Sequence, residues 1–258
     1  MPAVITRDLE LNYLESGEGI HNAVFLHGNL QSARLWHDFI EGMPEEYHCR
    51  AFDLRGFGNS PKTGDGANVD TLADDIRYAL HTLGLVRCSV LAFGEGARVA
   101  QSLAARYPSF VYKLVLMGAD AVAGDPAAAL TRADELAALS WKPKNLARII
   151  KAGAGLARNR KVPDDLLDAG SGAHQPAAAA LARSVATGDT LSLLPHITAR
   201  TVIIRGADDP VVSNADAELI RSRIPGAEFV ELSHTRRLPA LADVDSYRTA
   251  ALKLLESM

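Results

Sequence analysis

No stretch of this 258-residue chain restricts its fold as tightly as residues 88–100, Cys88-Ser89-Val90-Leu91-Ala92-Phe93-Gly94-Glu95-Gly96-Ala97-Arg98-Val99-Ala100. Six apolar or small residues in a row read as a strand buried on both faces. Ala92, Gly94, Gly96 and Ala97 are small, so the backbone can turn sharply and enter a helix close to its own sheet. A buried strand that feeds a helix in this way is half of a βαβ unit.

The flanking sequence repeats the unit. Residues 8–15 alternate polar and apolar, as a half-buried strand does. Residues 23–26 and 49–52 are short apolar runs. The first ends in His27-Gly28-Asn29, and the second in Asp53-Leu54-Arg55-Gly56-Phe57-Gly58-Asn59-Ser60. A helix is expected over 33–43. Another is expected over 71–83, where Leu72, Ile76, Leu80 and Leu83 fall at helical spacing and Asp74 and Asp75 sit in the first turn. Strand 111–117 follows the helix that ends near residue 107. Such alternation implies a mostly parallel sheet with helices on its faces.

From 121 to 196 the alternation stops. That segment is rich in alanine and helix-prone, and no strand is legible in it. It is expected to be a helical cap inserted into a core made of residues 1–120 and 197–258. Strand signals return at 201–205 and 227–232, with helices over 214–223 and 245–257.

Composition removes several functions. Apolar residues make up 48% of the chain, enough for a large core, and the net charge of −4 gives no footing for nucleic acid. No apolar run approaches the roughly 20 residues that span a membrane. Cys49 and Cys88 lie inside strand-like runs and read as buried free thiols. Nothing at the N-terminus resembles a secretory leader, so a cytoplasmic setting is expected. His174 and His196 are isolated, so no metal site and no cofactor is expected. Oligomeric state is not legible.

Four motifs, in order and at matching separation, resemble the α/β-hydrolase superfamily over nearly the whole chain. His27-Gly28-Asn29 is similar to its oxyanion loop, and residues 53–60 to its Asp-x-Arg-Gly-x-Gly-x-Ser loop. Residues 92–97 stand at its nucleophile elbow. Gly206-Ala207-Asp208-Asp209-Pro210, followed by His234, stands where it keeps an acid and a base. The resemblance implies the α/β-hydrolase fold, and action on an ester, lactone, amide or C–C bond of a small organic molecule.

The nucleophile position holds Gly94, which has no reactive atom. A frame shifted to Glu95 would put bulky Phe93 where a small residue is needed, so Glu95 reads as the acid that opens the helix. His234 is the expected base, since imidazole takes up a proton near neutral pH. Asp209 is its expected partner, with Asp120 as an alternative acid, while Asp208 reads as a loop cap. Asn29 and Glu95 are expected to lend backbone N–H groups to an oxyanion hole. His27, Asp53, Arg55 and Ser60 read as structural. Arg236 and Arg237 are either solvated loop charges or a site for an anionic substrate. The basic run Lys142, Lys144, Arg148, Lys151, Arg158, Arg160 and Lys161 reads as a solvated helix face, with attraction of an anionic ligand as the alternative.

Three functions fit a glycine at 94. One is a hydrolase whose serine has been altered. Another is an enzyme in which a His–Asp dyad works without a covalent intermediate. The last is a non-catalytic protein that binds a small molecule.

Overall fold

The computed structural model describes residues 1–63, 66–157, 159–238 and 243–257. Eight strands form one sheet in the order β1-β2-β4-β3-β5-β6-β7-β8. They are β1 (Ala3–Ile5), β2 (Glu10–Ser16), β3 (His21–Leu26), β4 (Tyr47–Phe52), β5 (Cys88–Phe93), β6 (Val111–Met117), β7 (Arg200–Gly206) and β8 (Glu228–Leu232). Strands β1 and β2 are antiparallel, as are β2 and β4, whereas every pairing from β4 through β8 is parallel. This is the α/β-hydrolase fold.

The centre of the sheet follows directly from residue choice. All six residues of β5 are buried, because helices cover both faces of a parallel strand. Burying each leucine-sized side chain there contributes roughly 1.5–3 kcal/mol. Against the sheet, Phe39 packs edge to face on Phe25 and Trp36, and Phe25 and Trp36 meet at a tilt, with ring centroids 5.3–5.8 Å apart.

Helix α1 (His37–Glu41) is shorter than the 33–43 segment expected of it, because Ala33–Trp36 winds as a 3-10 turn. Helix α2 (Val69–Thr82) starts two residues earlier than its periodicity suggests. The Asn68 side chain caps it by accepting from the Thr71 N–H. Its first turn therefore holds Asp70, and Asp75 instead turns inward to clamp Arg55 at 2.7 and 2.8 Å. Helix α3 (Glu95–Arg106) follows β5.

Between β6 and β7 come α4 (Pro126–Ala138), α5 (Pro143–Gly153), α6 (Asp164–Gly172) and α7 (Gln175–Thr187). The described residues of that segment contain no strand. Proline in the first turn fixes the start of α4, α5 and α7. Helix α8 (Asn214–Arg223) covers the span that its sequence predicts, and α9 (Val244–Leu255) closes the chain.

The parallel registers bring the C-terminal ends of β3, β5, β6, β7 and β8 to one edge. Leu26 lies beside Ala92, Ala92 beside Leu116, Met117 beside Ile204, and Gly206 beside Leu232. Crevices outside this edge are where open α/β sheets hold their ligands.

Candidate active site

Strand β5 delivers Gly94 to that edge at φ 57° and ψ −126°. Side chains adopt this conformation only under strain of about 1–3 kcal/mol. Space itself is available: a Cβ on Gly94 would come no closer than 3.5 Å to Arg237 Nη2 and 3.8 Å to Gly28 Cα. At Gly96 the constraint is contact, since a Cβ there would lie 2.4 Å from the His27 carbonyl oxygen. Glycine at 96 lets α3 pack directly on the end of β3.

Asp209 is buried at the end of β7. Its Oδ1 accepts from the Val211 and Val212 N–H groups at 2.8 and 3.1 Å. Its Oδ2 accepts from Arg237 Nη1 at 3.3 Å. Arg237 is only 6% exposed. From Asp209 its guanidinium reaches to the space over Gly94. Phe93 backs it, with Cζ 5.2 Å from the ring centroid. Glycines make room along its length: Cβ atoms at Gly118 and Gly155 would fall 3.5 Å from Arg237 Cγ and 3.1 Å from Arg237 Cβ. Tyr247 on α9 fixes the loop by donating its hydroxyl to the Arg236 and Arg237 carbonyls. Arg237 therefore lies between the acid and the elbow.

His234 lies elsewhere. It is exposed, with a left-handed backbone at φ 56°, and no hydrogen bond or ion pair joins it to Asp209. The expected His234–Asp209 dyad is not brought together, because the oxygen of Asp209 that it needs is taken by Arg237. Asp120, the alternative acid, accepts from Arg98 Nε at 2.6 Å. The same guanidinium donates to the Gly188 carbonyl, so Asp120 helps tie α3 to the end of α7. Asp208 serves its loop by donating its N–H to the Thr235 carbonyl at 3.0 Å.

The oxyanion loop is also committed internally. The Asn29 N–H donates to Glu95 Oε2 at 2.9 Å, and the Gly28 N–H donates to Gln31 Oε1 at 2.9 Å. The Asn29 side chain donates to the Ala178 carbonyl, which fastens the loop to α7. Of the two N–H groups expected to face a substrate, the one on Asn29 already holds the carboxylate of Glu95. Glu95 itself is the first residue of α3, where a negative charge suits the helix dipole.

The remaining motif residues form scaffolding. Asp53 accepts from the Ala33 and Asn59 N–H groups, and Ser60 donates to the Asp53 carbonyl. Buried His27 donates through Nδ1 to the Gly28 carbonyl at 2.7 Å and accepts at Nε2 from the Leu54 N–H at 3.1 Å. Only the neutral ring can play both parts. Burial, partly opposed by Asp53, pushes its pKa below the ordinary histidine value of 6.5. The unfolded chain therefore takes up this proton first. Stability at this residue is complete above about pH 6.5 and falls on acidification, by at most about 1.4 kcal/mol per pH unit. Urea melts from pH 7.5 to 5 are expected to show this slope, and a His27→Gln variant is expected to lack it.

Cys49 and Cys88 are buried free thiols, each pushed up to about 12 by burial. Among the described residues, the one cluster with metal-ligand spacing is His37, Asp38 and Glu41, all exposed on α1. It belongs to none of the loops that meet at Gly94. In the basic run of the helical insert, Lys161 pairs with Asp164 and Arg148 with Glu135. Arg158 lies outside the described residues. No helix among the described residues is long and apolar enough to cross a membrane.

The protein-family model for the alpha/beta hydrolase fold matches residues 24–167, more than half of the chain. The chain belongs to the α/β-hydrolase fold family. It is 31% identical to mouse epoxide hydrolase 3 over 119 residues, which cover 45% of this chain and 32% of that protein. The chain thus spans about a third of the length of the epoxide hydrolases that it matches. Human serine hydrolase BPHL is 24% identical over 234 residues, 88% of this chain and 76% of that one. Among solved structures, a hydrolase from Pseudomonas aeruginosa superposes with a TM-score of 0.88 at 21% identity, covering 98% of both chains. The enol-lactonase from Burkholderia xenovorans superposes with a TM-score of 0.85 at 19% identity, covering 99% of this chain and all of that one. Both likenesses are of fold. Within this α/β-hydrolase frame, Arg237 is the site residue that sequence reasoning left undecided. Its signal was present, in two adjacent arginines on the loop after β8, but nothing local says which of them turns inward.

Proposed function

We propose that this α/β-hydrolase-fold chain binds a small organic molecule over Gly94 without forming a covalent bond to it. One observation carries the reading: a guanidinium, Arg237, stands on the buried acid Asp209 and reaches the elbow. An arginine side chain stays protonated and has donors only, so it cannot accept a proton from a nucleophile. The elbow beneath it has no hydroxyl. The Asn29 N–H, which would stabilise a developing oxyanion, is held by Glu95. Nucleophile, base and one oxyanion donor are therefore each replaced or occupied. In this reading the segment 121–196 acts as a cap that selects the ligand, and Asn29 links it to the site through Ala178.

The relatives are hydrolases by name, and this reading separates the chain from their chemistry while keeping their fold. The test is stopped-flow hydrolysis of p-nitrophenyl acetate. The wild-type chain is expected to give no burst of p-nitrophenol, and His234→Ala to leave the trace unchanged. A burst from wild type, or background turnover that His234→Ala abolishes, would sink the proposal and restore the dyad.

A further inference from the structure

The fork of Arg237 is half used. Nη1 donates to Asp209. Nε is buried with no acceptor, and no hydrogen bond engages Nη2, which lies 3.5 Å from the point where a Cβ on Gly94 would stand. Nε and Nη2 form one edge of the guanidinium, the edge that takes two oxygens of a planar acid side by side. A buried polar group without a partner costs about 1–3 kcal/mol, so this edge favours whatever can accept from it.

A second feature points to the same space. Gly94 is the N-cap of the 12-residue helix α3 and has no side chain to cap it. The positive end of the helix dipole therefore faces the elbow. Two further arginines lie in the same neighbourhood as the Arg237 stem. Arg236 and Arg160 line a cavity of about 60 Å³ together with Gly155 and Leu238, and Gly155 packs against Arg237.

The neighbouring negative charges restrict the ligand. Asp209 is answered by two backbone N–H groups and by Arg237, and Glu95 by Asn29. Two acidic side chains therefore border the site, an arrangement that disfavours a dianion more than a monoanion. From this we infer that the small molecule held over Gly94 is a monocarboxylic acid, gripped through both oxygens by Nε and Nη2 of Arg237. The inference rests on the non-covalent reading above and gives it a ligand class.

The experiment is titration calorimetry of the intact chain with acetate and benzoate, each compared with its uncharged amide, and with inorganic phosphate. The tighter of the two acids is expected to bind at least about tenfold better than its amide and better than phosphate. Arg237→Lys keeps the charge beside Asp209 but lacks the fork, and is expected to lose about tenfold in affinity for that acid. Gly94→Ala leaves Arg237 in place and sets a methyl against Nη2, so it is expected to weaken the acid more than the amide. Equal affinity of acid and amide would overturn the inference. So would undiminished binding by Arg237→Lys, a preference for phosphate, or silence of both acids at about 10 mM. A p-nitrophenol burst in the same samples would instead count against the non-covalent reading, leaving the acid preference to be judged by its own titration.

Discussion

Placing serine at position 94 is expected not to confer covalent hydrolysis. A Gly94→Ser variant should turn over p-nitrophenyl acetate within about tenfold of wild type and show no burst, because a hydroxyl without a base is a poor nucleophile. The new Oγ would face Arg237 Nη2, a donor that can hydrogen-bond to the oxygen but cannot take its proton. The substitution should also lower stability by about 1–3 kcal/mol through its positive φ. Adding Arg237→His places an imidazole beside Asp209. General-base catalysis contributes about 10²–10⁴-fold, so the Gly94→Ser/Arg237→His pair should exceed Gly94→Ser by at least about 100-fold. A burst from Gly94→Ser alone would mean that a base other than residue 237 serves the elbow. The comparison also weighs the idea of a hydrolase altered only at its serine, since that idea requires the single change to suffice.

The second large effect concerns stability. Removing Arg237 as Arg237→Met leaves the Asp209 carboxylate buried with two backbone partners and without its ion-pair partner. Breaking a buried pair from one side costs about 3–5 kcal/mol. Urea unfolding of Arg237→Met is expected to show a loss of that order. Being buried, the loss should change little between low and high salt, unlike that of a surface pair. Arg236 is a useful contrast: it is exposed and held by the Gly155 carbonyl, so Arg236→Met should cost below about 1 kcal/mol.

The fold was legible because its signals are local. The six-residue apolar run of β5, the small residues at 92, 94, 96 and 97, and the alternation of strand and helix each report on their own segment. The limits of α8 matched the sequence reading. Strand β1 is three residues long and carries too little periodicity to read.

The site was legible only as a set of loops. His234 has the chemistry of a base, yet a shift of three residues along one loop decides which side chain returns to Asp209. That choice is made by distant contacts: Tyr247 on the loop's carbonyls, Gly155 and Gly118 against the Arg237 stem, and Asp209 on its head. The pairing of Glu95 with Asn29 likewise spans 66 positions. Loop sequence names the candidates, and tertiary packing selects among them.

The central claim is that Arg237, and not His234, is the partner of Asp209 at the elbow. A double-mutant cycle tests it most directly, with Asp209→Asn combined in turn with Arg237→Met and with His234→Ala, and unfolding free energies measured in urea. Contacting charged residues couple by about 0.5–3 kcal/mol, and separated ones add within about 0.3–0.5 kcal/mol. The account predicts coupling above about 1.5 kcal/mol for Asp209 with Arg237 and additivity for Asp209 with His234. Additivity in the first cycle with coupling in the second would contradict it.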